Sequence, residues 1–192
     1  VAALREAFEE SGVLYAHGAT PAQVAQATLL LRQGRSFTEA LEQLALQLDT
    51  RSVLPWSRWI TPKKASVSHK RFDTRFFTAD ASAITHRVDG VIHADAELVE
   101  QYRDGRIELA PPQIMSLAHL ARHASVASVL AEARGKPPAL VHPEPHDDAN
   151  GTRVLCYPGD PRHTVRERAL PGPTRLRYSH QRFEPEEGFD AL

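Results

Sequence analysis

The chain has 192 residues, of which 42% are hydrophobic and 24% charged, which suits one domain with an appendage and a sizeable core. A formal net charge of −1 carries no electrostatic footprint for a nucleic-acid backbone, and no apolar run reaches the length of a membrane span. One cysteine, Cys156, excludes an intrachain disulfide and suits a reducing compartment, so a cytoplasmic location is expected; nothing at the start has the form of a signal peptide.

In chain order, the first predicted element is a helix over residues 2–11, closed by Gly12. Within it, Glu6, Glu9 and Glu10 stand at i, i+3 and i+4, which puts three carboxylates on one face. Acids so close repel one another, and two of them lie at the helix C-terminus, where the dipole disfavours negative charge. A divalent cation is the simplest compensation, and Mg²⁺ favours oxygen ligands of this type. A plainer reading is a solvated helix end with Arg5 paired to Glu9 and Gly12 as a cap; it leaves the clustering of acids at the C-terminal end unexplained.

A short strand is expected at Val13-Leu14-Tyr15-Ala16. Thr20-Pro21 opens a helix that runs to about Gln33 and stops at Gly34. Ser36-Phe37-Thr38-Glu39 is a capping box for a second helix with the stripe Phe37, Leu41, Leu44, Leu48. Leu54 to Pro62 reads as an aromatic strand, Lys63 to Lys70 as a loop and Arg71 to Ala79 as the strongest strand of the chain. Val88 to Ala94 reads as a further strand and Asp95 to Arg103 as a short helix. Pro111-Pro112 opens a helix with Ile114, Leu117, Leu120 and Ala121 inward, and Ser125 caps another with Val126, Val129, Leu130 and Ala133 inward. Beyond Lys136, Ala139–His142 and Thr152–Tyr157 flank a hairpin turn at Asp147–Gly151, Leu176–Tyr178 adds a strand, and the acidic tail after Phe183 is expected to fray.

The string Arg5-Glu6-Ala7-x-Glu9-Glu10-x-Gly12-Val13 resembles the second half of the Nudix box, the signature of hydrolases that cleave nucleoside diphosphates linked to another moiety. Chance would produce it about once in 10⁷ windows at average residue usage, so the resemblance outweighs the plainer reading. The family's Gly-rich loop and an additional Glu would lie upstream of Val1, together with the first strands, so the chain is expected to be truncated and to have little or no activity alone. Trp56-Ser57-Arg58-Trp59-Ile60-Thr61-Pro62 and Lys70-Arg71-Phe72-Asp73-Thr74-Arg75-Phe76-Phe77 are similar to the branch that holds animal peroxisomal coenzyme A diphosphatases and bacterial relatives. The helical insertion at 20–48, the Pro111-Pro112-Gln113 helix and the Tyr157–Pro161 turn agree with that branch. The branch's acidic residue followed by Trp has no clear counterpart here, where Asp89 is the nearest acid.

The resemblance implies an α/β fold: a Nudix α/β/α sandwich with a mixed sheet, a helical insertion and a β-rich C-terminal appendage, divided into 1–135 and 136–192. It implies water attack on a pyrophosphate phosphorus with Mg²⁺ or Mn²⁺. Glu6, Glu9 and Glu10 are the implied metal ligands, Glu6 alternatively the general base, and Arg5 completes the catalytic set by orienting the acids. The implied substrate is a small nucleoside diphosphate derivative, coenzyme A or an acyl-coenzyme A, giving adenosine 3′,5′-bisphosphate and a phosphopantetheine. The oligomeric state is left open, with a homodimer as one arrangement. A Nudix-fold protein that binds a nucleotide or partner without turnover is the reading from another class.

The other candidates have structural explanations of comparable or greater weight. Arg75 and Trp59 are weak substrate-binding candidates, against a cross-strand ion pair of Asp73 with Arg75 and core packing of one tryptophan. His142-Pro143-Glu144-Pro145-His146-Asp147-Asp148 reads as a solvated loop rather than a metal site, and Cys156 as a buried thiol.

Overall fold

The structure, a computed structural model, describes residues 1–62, 71–84 and 96–192. The expected loop at 63–70, the expected strand Val88–Ala94 and Asp89 lie outside the described residues. The chain forms two compact units, Val1–Leu54 with Phe77–Ile92, and Pro55–Phe76 with His93–Leu192.

The first unit contains the first three helices. Helix α1 (Ala2–Ser11) ends as its sequence requires: Gly12 adopts the left-handed conformation at φ 74°, and its N–H reaches the Phe8 carbonyl at 2.9 Å. Helix α2 (Pro21–Arg32) starts in a capping box between Thr20 and Gln23, and α3 (Phe37–Gln43) in one between Ser36 and Glu39. Phe8, Leu14, Val24, Ala27 and Phe37 form the core of this unit, with the Phe8 and Phe37 rings 5.9 Å apart. Each large apolar side chain buried there contributes roughly 1.5–3 kcal/mol of transfer free energy.

Two expectations in this unit are corrected. Residues 13–16 contribute a single antiparallel bridge, Ala16 to Leu48, in place of a strand. The bonds His17 N–H to Gln47 carbonyl (2.8 Å) and Asp49 N–H to Tyr15 carbonyl (3.0 Å) complete a short ribbon. Helix α3 stops at Gln43, because Ala45 takes φ 51° and the Leu46 N–H turns back to the Leu41 carbonyl at 2.9 Å. Leu44 and Leu48 still pack on the same core from outside the helix, so the apolar stripe outlasts the element that suggested it.

The second unit holds most of β1 (Val53–Ile60) and β2 (Asp73–Ala79), which join β3 (Ala139–Val141) in a mixed sheet of order β2-β1-β3. Strand β3 runs parallel to β1, with Ser57 opposite Ala139 and Trp59 opposite Val141. Helices α4 (Ala96–Arg103), α5 (Pro111–Leu120) and α6 (Val126–Gly135) lie between β2 and β3 in sequence. An antiparallel meander follows: β4 (Glu144–Asp147), β5 (Arg153–Cys156), β6 (Arg175–Ser179) and β7 (Arg182–Pro185). The core of this unit includes Trp59, Tyr102, Ile114, Val141, Leu176 and Phe183. The α/β class and the β-rich C-terminal part are therefore observed. No helix among the described residues is long and apolar enough to cross a membrane.

Several details differ from the sequence expectations. Ala139–Val141 pairs with β1, and the hairpin arms are β4 and β5, because the parallel slot beside β1 takes the more apolar segment. Residues 144–147, expected as loop, are therefore strand. Helix α5 buries Ile114, Met115, Ala118 and His119, while Ala121 is exposed; Val126 of α6 is also exposed, at 50%. The tail does not fray after Phe183. Strand β7 pairs along β6 through a two-residue turn in which His180 and Gln181 both have positive φ, and a 3₁₀ turn covers Phe189–Ala191.

Candidate active site

Helix α1 presents its acids because its other face is anchored: Leu4 and Phe8 are 1% and 3% exposed. The Glu6 and Glu9 side chains are 52% and 36% exposed, and Glu10 is exposed beside them. Arg5 bridges the first two, donating from Nη2 to Glu6 and from Nη1 to Glu9 at 2.8 Å. The Arg5–Glu9 pair and the Gly12 cap of the plainer reading are thus both present.

That arrangement bears on metal binding. Three exposed carboxylates on one face are hard oxygen donors, the chemistry that suits Mg²⁺ or Mn²⁺. Their oxygens do not converge while Arg5 spans Glu6 and Glu9. An exposed ion pair contributes only about 0.2–1 kcal/mol, so a cation can displace Arg5 at small cost. The donor set fits the ion that the sequence implies.

The substrate candidates fall in different environments. Trp59 is 5% exposed, packs edge-on against Tyr157 and donates Nε1–H to Ser57 Oγ at 3.1 Å. Arg75 is exposed on β2. Asp73 pairs with Arg58, with Nε to Oδ1 at 2.8 Å and Nη2 to Oδ2 at 2.6 Å, so the cross-strand partner is Arg58 and not Arg75. The Arg58 hydrogen bonds hold the Asp73 carboxyl below its ordinary range.

A third group, which the sequence reading did not single out, lies in the second unit. His119 at the end of α5 and His123 just beyond it are four residues apart and face Glu132 of α6. Their Nε2 atoms are each 3.3 Å from Glu132, His119 from Oε1 and His123 from Oε2. Trp56 stacks on His119 with ring centroids 4.7 Å apart and planes 28° apart. These side chains line a cavity of about 760 Å³ that also takes in Arg122, Lys136 and Arg168. Burial lowers the His119 pKa against the opposing pull of Glu132. The spacing His-x₃-His at a helix end was the available signal, hidden because His119 occupies a position on the apolar stripe.

The Cys156 thiol is buried and pushed up to about 11, chiefly by desolvation and then by the Asp160 charge. In the segment 142–148, Glu144 accepts from the Thr164 N–H at 3.1 Å and Asp148 from the Asn150 and Thr152 N–H groups at 2.8 Å each, so these acids fasten loops.

The Nudix domain family model described as "NUDT19 Nudix domain" matches residues 1–120, and the chain belongs to that family. It is also similar to a Caenorhabditis elegans protein named "Putative nudix hydrolase 7", with 28% identity over 185 residues that cover 91% of this chain. The chain spans 61% of that relative's length. No solved structure matches the chain.

Proposed function

We propose that this chain carries the metal-binding helix of an enzyme that hydrolyses the pyrophosphate bond of a nucleoside diphosphate-linked substrate, with coenzyme A or an acyl-coenzyme A as the substrate. The observation that carries the reading is α1, where the half-box residues form one exposed acidic face in a chain of the Nudix family. Glu6, Glu9 and Glu10 would hold Mg²⁺ or Mn²⁺, which when bound neutralises phosphate charge and lowers the pKa of a coordinated water. Arg5 positions the carboxylates through charge-assisted hydrogen bonds, and its bond to Glu9 fixes that side chain against the helix. Glu6 is either a third ligand or, alternatively, the general base. Arg75 is exposed and available to a phosphate, whereas Trp59 could reach a base only by leaving the core. The coenzyme A assignment rests on the branch resemblance of the Trp56–Pro62 and Lys70–Phe77 strings. The buried free thiol of Cys156 supports a reducing, cytoplasmic setting.

The test is a panel of nucleoside diphosphate derivatives, coenzyme A among them, assayed with Mg²⁺ or Mn²⁺ on protein with a complete Nudix box. Release of adenosine 3′,5′-bisphosphate from coenzyme A is expected. Tight binding of a panel member without any product would favour the non-catalytic reading instead.

A further inference from the structure

We propose that His119, His123 and Glu132 bind a divalent transition metal, with Zn²⁺ the ion their donor chemistry suits, at a site separate in kind from the acidic face of α1. Two imidazoles and one carboxylate are borderline donors that favour Zn²⁺ and its first-row neighbours over Mg²⁺, which prefers oxygen. Among the described residues, this is the one group of three such side chains whose donor atoms all lie within 4.8 Å of one another. The inference does not depend on the hydrolase reading.

The three donor groups are gathered closely enough to share one ion. Zinc bound at about 2.0–2.1 Å in a tetrahedral site holds its ligand atoms roughly 3.3 Å apart. The two His–Glu separations are both 3.3 Å, longer than the ~2.7–2.9 Å of a charge-assisted N–H···O bond. Each imidazole addresses a different oxygen of Glu132, so the carboxylate is shared between them.

The hydrogen-bond environment of His123 points the same way. Ser128 Oγ donates its hydrogen to the Ser125 carbonyl at 2.7 Å. Ser128 Oγ is thus placed, 3.1 Å from His123 Nδ1, to accept an N–H from that nitrogen, which leaves Nε2 as the ring atom that faces Glu132. An Nδ1–H held by a neighbouring oxygen is also how metal-ligating histidines are oriented. His119 Nδ1 is buried with no hydrogen-bond partner, and stacking on Trp56 holds that ring instead.

Lys136 Nζ, 3.3 Å from Glu132 Oε1, is the local competitor for the carboxylate. Its side chain is 69% exposed and can swing into solvent. Three protein ligands leave a fourth position for water or an anionic ligand, and the adjoining cavity offers room for one beside Arg122 and Arg168.

The experiment titrates the metal-free 192-residue chain with Zn²⁺ against a chromophoric chelator, in excess Mg²⁺ to occupy hard-oxygen sites. One Zn²⁺ per chain is expected, and Co²⁺ in its place should give the visible absorption of a tetrahedral centre. His123→Gln and Glu132→Gln should each weaken Zn²⁺ binding roughly 100-fold or more, exceeding the effect of an outer-shell change. Lys136→Met should tighten it, and Glu9→Gln should leave it unchanged. Circular dichroism confirms that each variant is folded, and His123 is chosen over His119 because Trp56 stacks face-on against His119 at 4.7 Å but meets His123 only edge-on at 5.9 Å. Absence of stoichiometric Zn²⁺ binding, binding undiminished in folded His123→Gln and Glu132→Gln, or binding lost with Glu9→Gln would overturn the proposal.

Discussion

Arg175 grips Asp160 with two parallel hydrogen bonds, Nε to Oδ2 at 2.9 Å and Nη2 to Oδ1 at 3.0 Å, over a carboxylate that is only 2% exposed. Burial pushes the Asp160 pKa up, but the Arg175 hydrogen bonds, the Arg162 N–H and the Arg175 charge outweigh it and hold the group below its ordinary value. Asp160→Ala leaves Arg175 with Glu186 as its remaining carboxylate partner, and a loss of about 1.5–3 kcal/mol is expected from urea unfolding. The sign of the pH effect follows from the depressed folded pKa. The stabilisation is complete above the unfolded carboxylate pKa near ~3.9 and is lost as pH falls through the lower folded value. Unfolding of the Asp160→Ala variant, followed by circular dichroism, should vary less steeply with pH below about 4 than that of the parent.

Gly159, one residue before that carboxylate, has φ 98°, and a Cβ there would lie 2.5 Å from Arg168 Cγ and 3.1 Å from its backbone Cα. Both the backbone conformation and the space reserve the position for glycine. Gly159→Ala should cost about 1–3 kcal/mol by urea titration, with no compensation from reduced chain entropy in the unfolded state. A change below about 0.5 kcal/mol would mean that the turn relaxes freely.

Cys156 gives a chemical readout of the same region. Its thiol is pushed up to about 11 by burial first and by Asp160 second, so very little thiolate is present at pH 8. Iodoacetamide labelling at pH 8 should be at least about 100-fold slower in the folded chain than in 6 M urea. Asp160→Ala should narrow that ratio by opening the site, and mass spectrometry of the labelled peptide measures both.

The parts of the molecule written in local chemistry were legible. The capping boxes at Thr20 and Ser36, the Gly12 stop and the clustered acids of α1 each depend on residues within one turn of each other. What was misjudged depends on distant partners. The composition of Ala139–His142 suggests a hairpin arm, but the place of Ala139–Val141 is fixed by β1 some eighty residues earlier. The Leu44–Leu48 stripe kept its helical period because both residues pack on one core, although Ala45 had already ended the helix. Val126 stayed exposed because the packing of its neighbours, not the period, chose the buried face. His119 was read past because a histidine on an apolar stripe gains meaning only when Trp56, His123 and Glu132 are brought to it from three other positions in the chain. On α1, by contrast, the residue types and the Arg5–Glu9 pair are legible, while the second bond, from Arg5 to Glu6, is a rotamer choice that sequence does not encode.

That bridge sets up a separation between ligand and positioning roles. If Glu9 binds the catalytic ion, Glu9→Gln removes a charged oxygen donor and turnover with a complete Nudix box should fall by roughly 10³-fold or more, the scale of losing metal-derived stabilisation. Among the described residues the Arg5 guanidinium bonds only the Glu6 and Glu9 carboxylates, so Arg5→Ala should lower activity by about 10–100-fold, the range for groups that orient metal ligands. The two variants should differ in their response to Mg²⁺. Raising its concentration should restore much of the activity of Arg5→Ala, because the three carboxylates remain, and little of that of Glu9→Gln. Chelation should abolish activity in all three proteins. The decisive measurement is initial rate against free Mg²⁺ for the parent and both variants, with thermal melts to confirm that α1 remains folded. A Glu9→Gln enzyme as active as its parent would remove Glu9 from the metal site, and an Arg5→Ala defect indifferent to Mg²⁺ would make Arg5 a helix-stabilising residue only.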